Sequence, residues 1–394
     1  MLSVDQAISE LIEKSLNEVD TILISVSKSL GFVTAEDIFA VIDVPPADNS
    51  AMDGYAFLLK DAISSNFRLP VTQKIVAGSI SQCLETGTAA RIFTGAEIPE
   101  GADSVAIQES CYEDNEIVDI DPNTMQGSNI RSCGQDTRSG KIILPSGTRI
   151  RSAEMALLSS QGICQVKIFK PLKVAILSTG NELVEPGISL RRGQIYNSNR
   201  IMLSGLIQEL GMEVIDLGCI VDDFEATRNA LLAGAELADV IISAGGVSVG
   251  DEDHVKSAVE ALGNIDFWRI SIKPGKPLAF GYIGGIPFIG LPGNPASVFV
   301  TFVVLAKPFL LASQGNTKPE SKFAKGTALF ERSGESREVY LRGRFNGADS
   351  ETGVELYPNQ SSGVLSSVSW GDVLIRQKSG EDIGLKDAID VIIY

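Results

Sequence analysis

The feature that most constrains the fold is an alternation of apolar strands and amphipathic helices that starts near Lys170. The strands are "KVAILSTG", "EVIDLGCI" and "DVIISAGG", and the helices that follow them are "NRIMLSGLIQELG", "DFEATRNALLAGAEL" and "HVKSAVEALG". We expect Asn199 to cap the first of these helices and Gly211 to close it. Strands and helices that alternate at this length predict a parallel sheet with helices covering both of its faces.

Three loops at the ends of predicted strands have an unusual composition. They are "STGNEL" after "VAIL", "SAGGVSVGDEDH" after "DVII" and "GLPGNPAS" after "IPFI". Ligands of an open parallel sheet bind beyond the carboxyl ends of its strands, and glycine-rich helix starts present free amides to an oxyanion. An anionic substrate is therefore expected at this edge. The chain has no GxxxxGK[ST] phosphate loop, and no GxGxxG fingerprint occupies the first strand–helix turn.

The flanking regions have a different pattern. Residues 4–40 are predicted to be helical, through "VDQAISELIEKSL" and "TILISVSKSLG", which ends at Gly31. Short apolar runs broken by glycine and proline predict a β-rich segment over 71–132, and "SAEMALLSSQGI" predicts a helix over 152–163. Residues 318–394 again predict strands, arranged as a small barrel or sandwich.

Composition argues against several functional classes. The net charge of −17 disfavours nonspecific nucleic-acid binding, because little positive charge is present to neutralise phosphates. No uninterrupted apolar run has the length of a membrane span, and the N-terminus does not resemble a secretion signal. The five cysteines include no CxxC pair, so we interpret them as reduced thiols of a cytoplasmic protein. The single histidine, His254, excludes a multi-histidine metal site but not a hard cation held by carboxylates.

Several motifs together resemble one enzyme family. "PPADNSAMDGYAF", "RIFTGAEIPEGAD", "STGNEL", "GQIYNSN", "SAGGVSVGDEDH", "IKPGKPLAFG" and "GLPGNPASVFVTF" occur in the order found in the molybdopterin molybdenumtransferase (MoeA and gephyrin E-domain) family. The resemblance runs from the N-terminal helix to the C-terminal β region, which is its least distinctive part. It implies Mg²⁺-dependent insertion of molybdate into adenylylated molybdopterin, with release of AMP and molybdenum cofactor.

The resemblance also implies an architecture of the α/β plus β class. The expected subunit is elongated and multidomain, with a doubly wound parallel-sheet domain that binds the pterin. The expected divisions are a helical linker and dimerisation domain (1–41 and 134–168), a β-rich inserted domain (42–133), an α/β molybdopterin-binding domain (169–316) and a C-terminal β-barrel-like domain (317–394). The implied partners are a second copy of the chain and, transiently, the adenylylating enzyme and molybdoenzyme chaperones, with no nucleic acid and no membrane.

Roles for residues of the α/β domain follow from the resemblance. Glu182, Asp222 and Asp253 are the carboxylates expected at the cofactor and metal site, where Mg²⁺ would let acidic residues and an anion coexist. Lys273 and Lys276 are expected to supply positive charge from a loop stiffened by prolines. The groups expected to bind the pterin, its phosphate or the nucleotide are Thr179, Gly180, Asn197, Ser198, Gly245, Gly246, Ser248, Gly250, Arg269, Pro292, Gly293 and Asn294.

Three further candidates lie in the N-terminal half. Asp53, Thr94 and Asp136 occupy family positions that are important for activity. We expect them to face the α/β domain of the other subunit across the dimer.

The C-terminal domain contributes two candidates. Arg342 and Ser362 are expected to contact molybdate or the nearby substrate, with Arg344 and Ser361 as adjacent alternatives. Arg269 departs from the lysine expected after "DFW", which puts the role of that position in doubt because a planar guanidinium grips an oxyanion differently from an ammonium.

Alternative interpretations exist for individual residues and for the function of the whole chain. Asp253 is also placed to cap a helix, and Glu182 to lie on a solvated loop, whereas Asp223 is a better helix cap than Asp222. The alternative functions are adenylylation of molybdopterin by an enzyme of the same fold, a non-catalytic pterin-binding scaffold, and insertion of tungstate in place of molybdate.

Overall fold

The N-terminal part of the chain is built mainly from short strands. The computed structural model describes residues 2–16, 19–247, 254–347 and 352–394. Up to residue 169 its elements are α1 Val4–Glu13, β1 Thr21–Ser25, β2 Ile38–Phe39, β3 Asn49–Ser50, β4 Gly54–Phe57, α2 Leu59–Ser64, β5 Arg68–Ile75, β6 Ala89–Ile92, β7 Ser104–Ile107, β8 Tyr112–Asp114, β9 Ile117–Asp119, β10 Ile130–Arg131, β11 Ile142–Leu144, α3 Ser152–Ser160 and β12 Gln165–Phe169. Six of the strands form one sheet in the order β7-β4-β6-β5-β9-β8, which confirms the β-rich segment.

The helical structure predicted over residues 4–40 is correct for α1 and wrong beyond it, where β1 and β2 are strands. Residues 21–25 form strand β1, which pairs antiparallel with β12 from Thr21↔Phe169 to Ser25↔Gln165, and only Val26–Lys28 form a short 3₁₀ turn. The apolar residues "ILI" are consecutive and mostly β-branched, which favours a strand once a distant partner is available. The remaining short strands pair as β2 with β11 and β3 with β10.

The first helix packs outside this N-terminal region. Val4, Ala7 and Leu11 of α1 are fully buried, in the same core cluster as residues of the α/β sheet and of the helix Lys307–Ser313. Lys14 forms an ion pair with Asp266 (Nζ–Oδ2 2.5 Å), and the Leu2 carbonyl accepts a hydrogen bond from the Ser271 amide at 2.8 Å. The helix therefore joins the start of the chain to the α/β core.

The central region carries the predicted α/β fold. Its elements are β13 Lys173–Thr179, β14 Leu183–Val184, β15 Ile195–Tyr196, α4 Ser198–Glu209, β16 Glu213–Ile220, α5 Phe224–Leu237, β17 Val240–Ala244, α6 His254–Leu262, β18 Gly263–Arg269, β19 Ile272–Lys273, β20 Pro277–Ile283, β21 Ile286–Leu291, α7 Pro295–Thr301, a π-helical turn Phe302–Ala306 and α8 Lys307–Ser313. The main sheet has the order β16-β13-β17-β21-β20-β18. Its first four strands are parallel, as predicted, and β20 runs antiparallel to both of its neighbours, β21 and β18. A tight turn at Gly284–Gly285 joins β20 to β21.

Successive side chains of β13 point to opposite faces of this sheet. Val174 and Ile176 belong to the core cluster shared with α4, and Ala175 and Leu177 belong to the cluster shared with α5 and α6. Both faces are therefore covered by helices, as expected for a strand whose central residues, 174–177, are all apolar.

The caps of α4 and α5 agree only in part with those predicted from the sequence. Asn197, not Asn199, caps α4, because the helix begins two residues earlier than predicted, at Ser198. Gly211 follows the last turn with a positive φ, as expected. Asp223 caps α5 by accepting a hydrogen bond from the Ala226 amide at 2.9 Å.

The C-terminal region forms a closed barrel. Its elements are β22 Phe323–Ala328, β23 Glu338–Phe345, β24 Gly353–Leu356, α9 Ser366–Trp370, β25 Val373–Gln377 and β26 Ala388–Ile393. The order β23-β24-β22-β26-β25 closes through pairing of β25 with β23. Strand β19 of the preceding region adds to β23, so the barrel and the α/β sheet are joined by main-chain pairing at Ile272 and Lys273.

One stretch, Pro295–Ser313, is long and apolar enough to cross a membrane by length and composition. Within the fold 89% of it is buried, as in the core helix of a globular protein. The stretch comprises α7, the π-helical turn and α8, and it packs between the sheet and α1.

Candidate functional site

A cleft of about 910 Å³ opens at the carboxyl ends of the parallel strands. It is bounded by the loops after β13, β16, β17 and β21, by the loop between β19 and β20, and by the segment 360–362 of the barrel region. The predicted site residues that line it are Thr179, Gly180, Glu182, Asn197, Ser198, Asp222, Gly245, Gly246, Lys273, Lys276, Pro292, Gly293, Asn294 and Ser362. The three strand-end loops singled out in the sequence therefore meet in one place.

The order of the strands in the sheet determines where acidic, neutral and basic groups lie along this cleft. Asp222 follows β16, Glu182 follows β13, the glycine pair follows β17 and Gly293 follows β21. Lys273 and Lys276 precede β20, which is antiparallel and therefore begins at the same edge of the sheet. Carboxylates thus lie at one end of the cleft, main-chain amides in the middle and cations at the other end.

The middle of the cleft is formed by closely packed backbone. Gly246 has a φ of +67°, and a Cβ added there would lie 2.2 Å from Cγ2 of Val255 and 2.7 Å from Oγ1 of Thr179. A Cβ added at Gly293 would lie 3.7 Å from the Cα of Gly245, so a side chain at position 293 would be in van der Waals contact with the loop after β17. Only glycine fits at position 246 without a shift of its neighbours.

The start of α4 forms one wall of the cleft. Asn197 is buried, and its Oδ1 accepts hydrogen bonds from Ser178 Oγ (3.3 Å) and from the Arg200 amide (3.4 Å). Asn199 donates from Nδ2 to the Gly293 carbonyl at 2.7 Å, while its buried Oδ1 has no partner among the described residues. Below this wall, Arg200 forms ion pairs with Glu185 of the preceding loop and with Asp216 of β16. The wall is therefore held by polar contacts on both sides.

The two acidic residues at the cleft have little contact with the rest of the protein. Asn181 Oδ1 accepts a hydrogen bond from the Asp222 amide at 3.1 Å, and no described residue donates to the carboxylate of Asp222 or of Glu182. Since Asp223 caps α5, the carboxylate of Asp222 is available to a ligand. No group of three or more metal-binding side chains occurs within the described ranges. The third predicted carboxylate, Asp253, lies outside them, as do Ser248 and Gly250.

The cations at the other end differ in their surroundings. Lys273 forms an ion pair with Glu335 (Nζ–Oε2 2.5 Å), whereas no described carboxylate pairs with Lys276. Arg337 also lines the cleft and donates from Nη1 to the Ile272 carbonyl at 3.0 Å. The predicted Arg269 is exposed and does not line the cleft as described.

The barrel contributes a buried arginine behind the cleft. Arg342 is completely buried, and it donates from Nη2 to the Ser361 carbonyl (3.0 Å) and from Nε to Ser367 Oγ (3.0 Å). Burial lowers the pKa of Arg342 to about 10, and no described carboxylate pairs with it. Its side chain therefore supports the segment that contains Ser361 and Ser362, both of which line the cleft.

The predicted residues of the N-terminal half lie away from the cleft of this subunit. Asp53 accepts hydrogen bonds from the amide and from Oγ1 of Thr94, both at 2.8 Å, and these bonds lower the pKa of its carboxyl below the ordinary value. Asp136 is exposed, and its amide donates to the Val44 carbonyl at 2.9 Å. None of the three lines the cleft.

Sequence reasoning missed several residues that line the cleft. The unpredicted ones include Tyr196, Asn199, Ser297, Arg337 and Gln360. Tyr196 and Asn199 lie within "GQIYNSN" and Gln360 within "NQSSG", so adjacency to recognised motifs was an available signal for these. Arg337 has no motif in the sequence that points to it.

The arrangement agrees with comparisons to known proteins. The chain is 42% identical to a molybdopterin molybdenumtransferase of Haemophilus influenzae over 80% of this chain and 78% of that protein, and 36% identical to one of Nostoc over 87% and 81%. The crystal structure of a molybdopterin biosynthesis MoeA protein from Pyrococcus horikoshii is 26% identical, with a TM-score of 0.85 and 100% coverage of both chains. A second crystal structure of such a protein from Pyrococcus is 31% identical, with a TM-score of 0.76, covering 100% of this chain and 99% of the other.

Two parts of the chain also match known protein-family domains. Residues 2–162 match the MoeA N-terminal region (domain I and II), and residues 175–312 match a probable molybdopterin-binding domain. The second match contains most of the residues that line the cleft. With relatives of this identity aligned along most of both chains, the chain belongs to the molybdopterin molybdenumtransferase family of transferase enzymes.

Proposed function

We propose that this chain inserts molybdenum from molybdate into adenylylated molybdopterin, with Mg²⁺ as cofactor and AMP as the leaving product. The observation that carries the proposal is the graded cleft: carboxylates after β16 and β13, packed glycines after β17, and cations beside β20. The substrate matches this order, because it has a pyrophosphate between a nucleotide and a pterin and reacts with an oxyanion. The names of the relatives point to the same reaction.

The cationic end is suited to molybdate and to the phosphate groups. Lys273, Lys276 and Arg337 line it, and Arg342 lies just behind it. A buried cation without a carboxylate partner is costly, and a bound anion would repay part of that cost. We assign the oxyanion to this end, where Ser361 and Ser362 add polar groups.

The acidic end is suited to Mg²⁺. Magnesium binds oxygen ligands and often uses one or two carboxylates together with substrate phosphates and water. Glu182 and Asp222 supply such a pair, at the ends of adjacent strands and without other donors among the described residues. Bound there, the cation would neutralise charge on the pyrophosphate as the phosphoanhydride breaks. The protein groups themselves bind and orient the reactants.

The subunit is proposed to work as a homodimer in the cytoplasm. Phe39 and Ile142 pair across β2 and β11, and each is 51% exposed, while Val41 and Ile42, which follow Phe39, are exposed as well. An exposed apolar cluster of this kind is typical of an interaction surface. A second subunit would bring the Asp53–Thr94 pair and Asp136, which stand apart from the cleft of their own subunit, to the cleft of the partner.

The proposal is tested by reconstitution with purified components. Purified protein is incubated with adenylylated molybdopterin, molybdate and Mg²⁺, and both AMP and molybdenum cofactor are measured. We expect Asp222→Asn to lose most of this activity, whereas Glu236→Gln, which removes one exposed carboxylate from the far end of α5, retains it. Each variant must keep the wild-type unfolding transition.

Three outcomes would contradict this function. Full activity in EDTA would exclude the cation, and full activity of Asp222→Asn would exclude its proposed site. Formation of an AMP ester from ATP and molybdopterin, without metal insertion, would instead assign the preceding adenylylation step. Replacing molybdate by tungstate in the same assay, alone and in competition, measures which oxyanion is preferred.

A further inference from the structure

The two lysines of the cleft are not equivalent. Lys273 forms the ion pair with Glu335, and its side chain is 43% exposed while that of Glu335 is 29% exposed. Lys276 has no carboxylate partner in the described part of the chain. Glu335 itself does not line the cleft, so it contacts Lys273 from the side of the barrel.

Glu335 is held in place by contacts within the barrel region. Its Oε1 accepts from Nη2 of Arg332 at 2.5 Å, and its carbonyl accepts from the Gly380 amide at 2.7 Å. Arg332 is fixed in turn, since it donates from Nε to Gln377 Oε1 (3.0 Å) and its main chain pairs with Ile383 in both directions at 2.8 Å. These contacts, chiefly the ion pair with Lys273, lower the pKa of Glu335, so it is ionised near neutral pH.

The main chain of Lys273 is fixed by the same barrel. Ile272 and Lys273 pair with Glu338 and Val339 of β23 in parallel register. The position of the ammonium group relative to the cleft therefore depends on its side chain, and Glu335 is the described carboxylate that contacts it.

We propose that Glu335 is a positioning residue that restrains Lys273 while the cleft binds its oxyanion. This inference rests on the function proposed above. An ammonium group has three N–H donors, so Lys273 can donate to Glu335 and still offer donors to an anion. The carboxylate has two opposed effects: it fixes the direction of the ammonium, and its negative charge competes with the anion for it.

Removing the charge of Glu335 should therefore separate binding from turnover. In Glu335→Gln we expect molybdate to bind about fivefold more tightly and kcat to fall about fivefold, the size of one partly exposed ion pair. A role limited to stability would lower activity without tightening binding. Glu331→Gln is the matched control, because Glu331 is exposed on the same segment and its carboxylate forms no hydrogen bond or ion pair with a described residue.

Three measurements test the inference. Titration calorimetry gives the molybdate affinity, steady-state kinetics give kcat and KM, and limited acylation with an amine-reactive ester, read by peptide mass spectrometry, compares Lys273 with Lys276. We expect Lys273 to react several times faster in Glu335→Gln than in wild type. Lys276 should react at the same rate in the two proteins. Glu335→Asp, whose carboxylate is one methylene shorter, provides the same acylation test if Glu335→Gln does not fold.

The possible failures can be told apart. Wild-type protein that does not bind molybdate would contradict the proposed function. Wild-type binding, together with Glu335→Gln affinity and Lys273 acylation equal to those of Glu331→Gln, would overturn the positioning role and leave the function intact.

Discussion

Replacing Gly246 by alanine tests whether the middle of the cleft is as tightly packed as its geometry indicates. Gly246 has a φ of +67°, and the added Cβ would lie 2.2 Å from Cγ2 of Val255, which is 1% exposed. Two separate costs follow: a left-handed backbone conformation for alanine, and an overlap with a side chain of α6 that has little room to move.

A second glycine separates these two costs. Gly284, in the turn between β20 and β21, has a φ of +57°, and a Cβ added there meets nothing within 4 Å. Gly284→Ala therefore reports the backbone cost alone, about 1 kcal/mol. Gly246→Ala adds an overlap that costs about 1–3 kcal/mol in a packed interior, which gives about 2–4 kcal/mol in total. Both positions adjoin strands of the same sheet and should respond to the same unfolding transition.

The assay is urea unfolding of wild type and both variants, followed by circular dichroism. We expect unchanged slopes and a midpoint for Gly246→Ala clearly below that of Gly284→Ala. Equal midpoints for the two variants would refute the packing argument, because the overlap would then have been relieved at no cost. A Gly246→Ala protein with full stability and full molybdate affinity would in addition show that this residue does not shape the cleft.

Two further predictions concern charged residues. Arg342→Met should change the free energy of unfolding by less than about 1 kcal/mol, because the loss of two hydrogen bonds is offset by the removal of a buried charge. The same variant should bind molybdate more than tenfold more weakly, as measured by calorimetry. Unaltered binding would contradict this prediction. Glu154→Gln should lower stability by about 1 kcal/mol near neutral pH, because the ion pair and hydrogen bonds to Arg151 hold the pKa of Glu154 at about 2. The pKa of Glu154 in the folded protein lies below the ordinary glutamate value of about 4.3, so the extra stability of wild type should be complete above that pH and shrink towards about pH 2. Urea unfolding at several pH values measures this difference. A difference that is independent of pH would contradict the ion-pair explanation.

The α/β sheet and the convergence of its loops were predictable from local patterns. "KVAILST" contains four consecutive apolar residues, as a strand covered on both faces requires, and it forms β13. The rule that ligands lie beyond the carboxyl ends of parallel strands brought Thr179, Gly245 and Pro292 to one cleft, where the structure has them. Both inferences depend on residues close together in sequence.

The errors arose where distant partners decide the structure. Thr21–Ser25 is a strand because it pairs with β12, whose residues come after the whole inserted region. The complete burial of Arg342 results from closure of the barrel, and "LRGRF" alone does not predict it. The contact of Glu335 with Lys273 joins two segments that only the β19–β23 pairing brings together. Periodicity and motif spacing contain no information about such pairings.

The same pairing explains how a strongly acidic chain can offer a site for anions. With a strand spacing of about 4.8 Å, the four steps from β16 to β20 separate the carboxylate end of the cleft from its cationic end by about 19 Å. Arg337 and Arg342, two of the cations at or behind that end, come from the barrel, and Lys273 is anchored to it through β19. The α/β sheet without the barrel would keep the acidic end and the glycines but lose much of its positive charge. The barrel is therefore an integral part of the proposed anion site, and the net charge of −17 does not describe the field that a substrate would meet there.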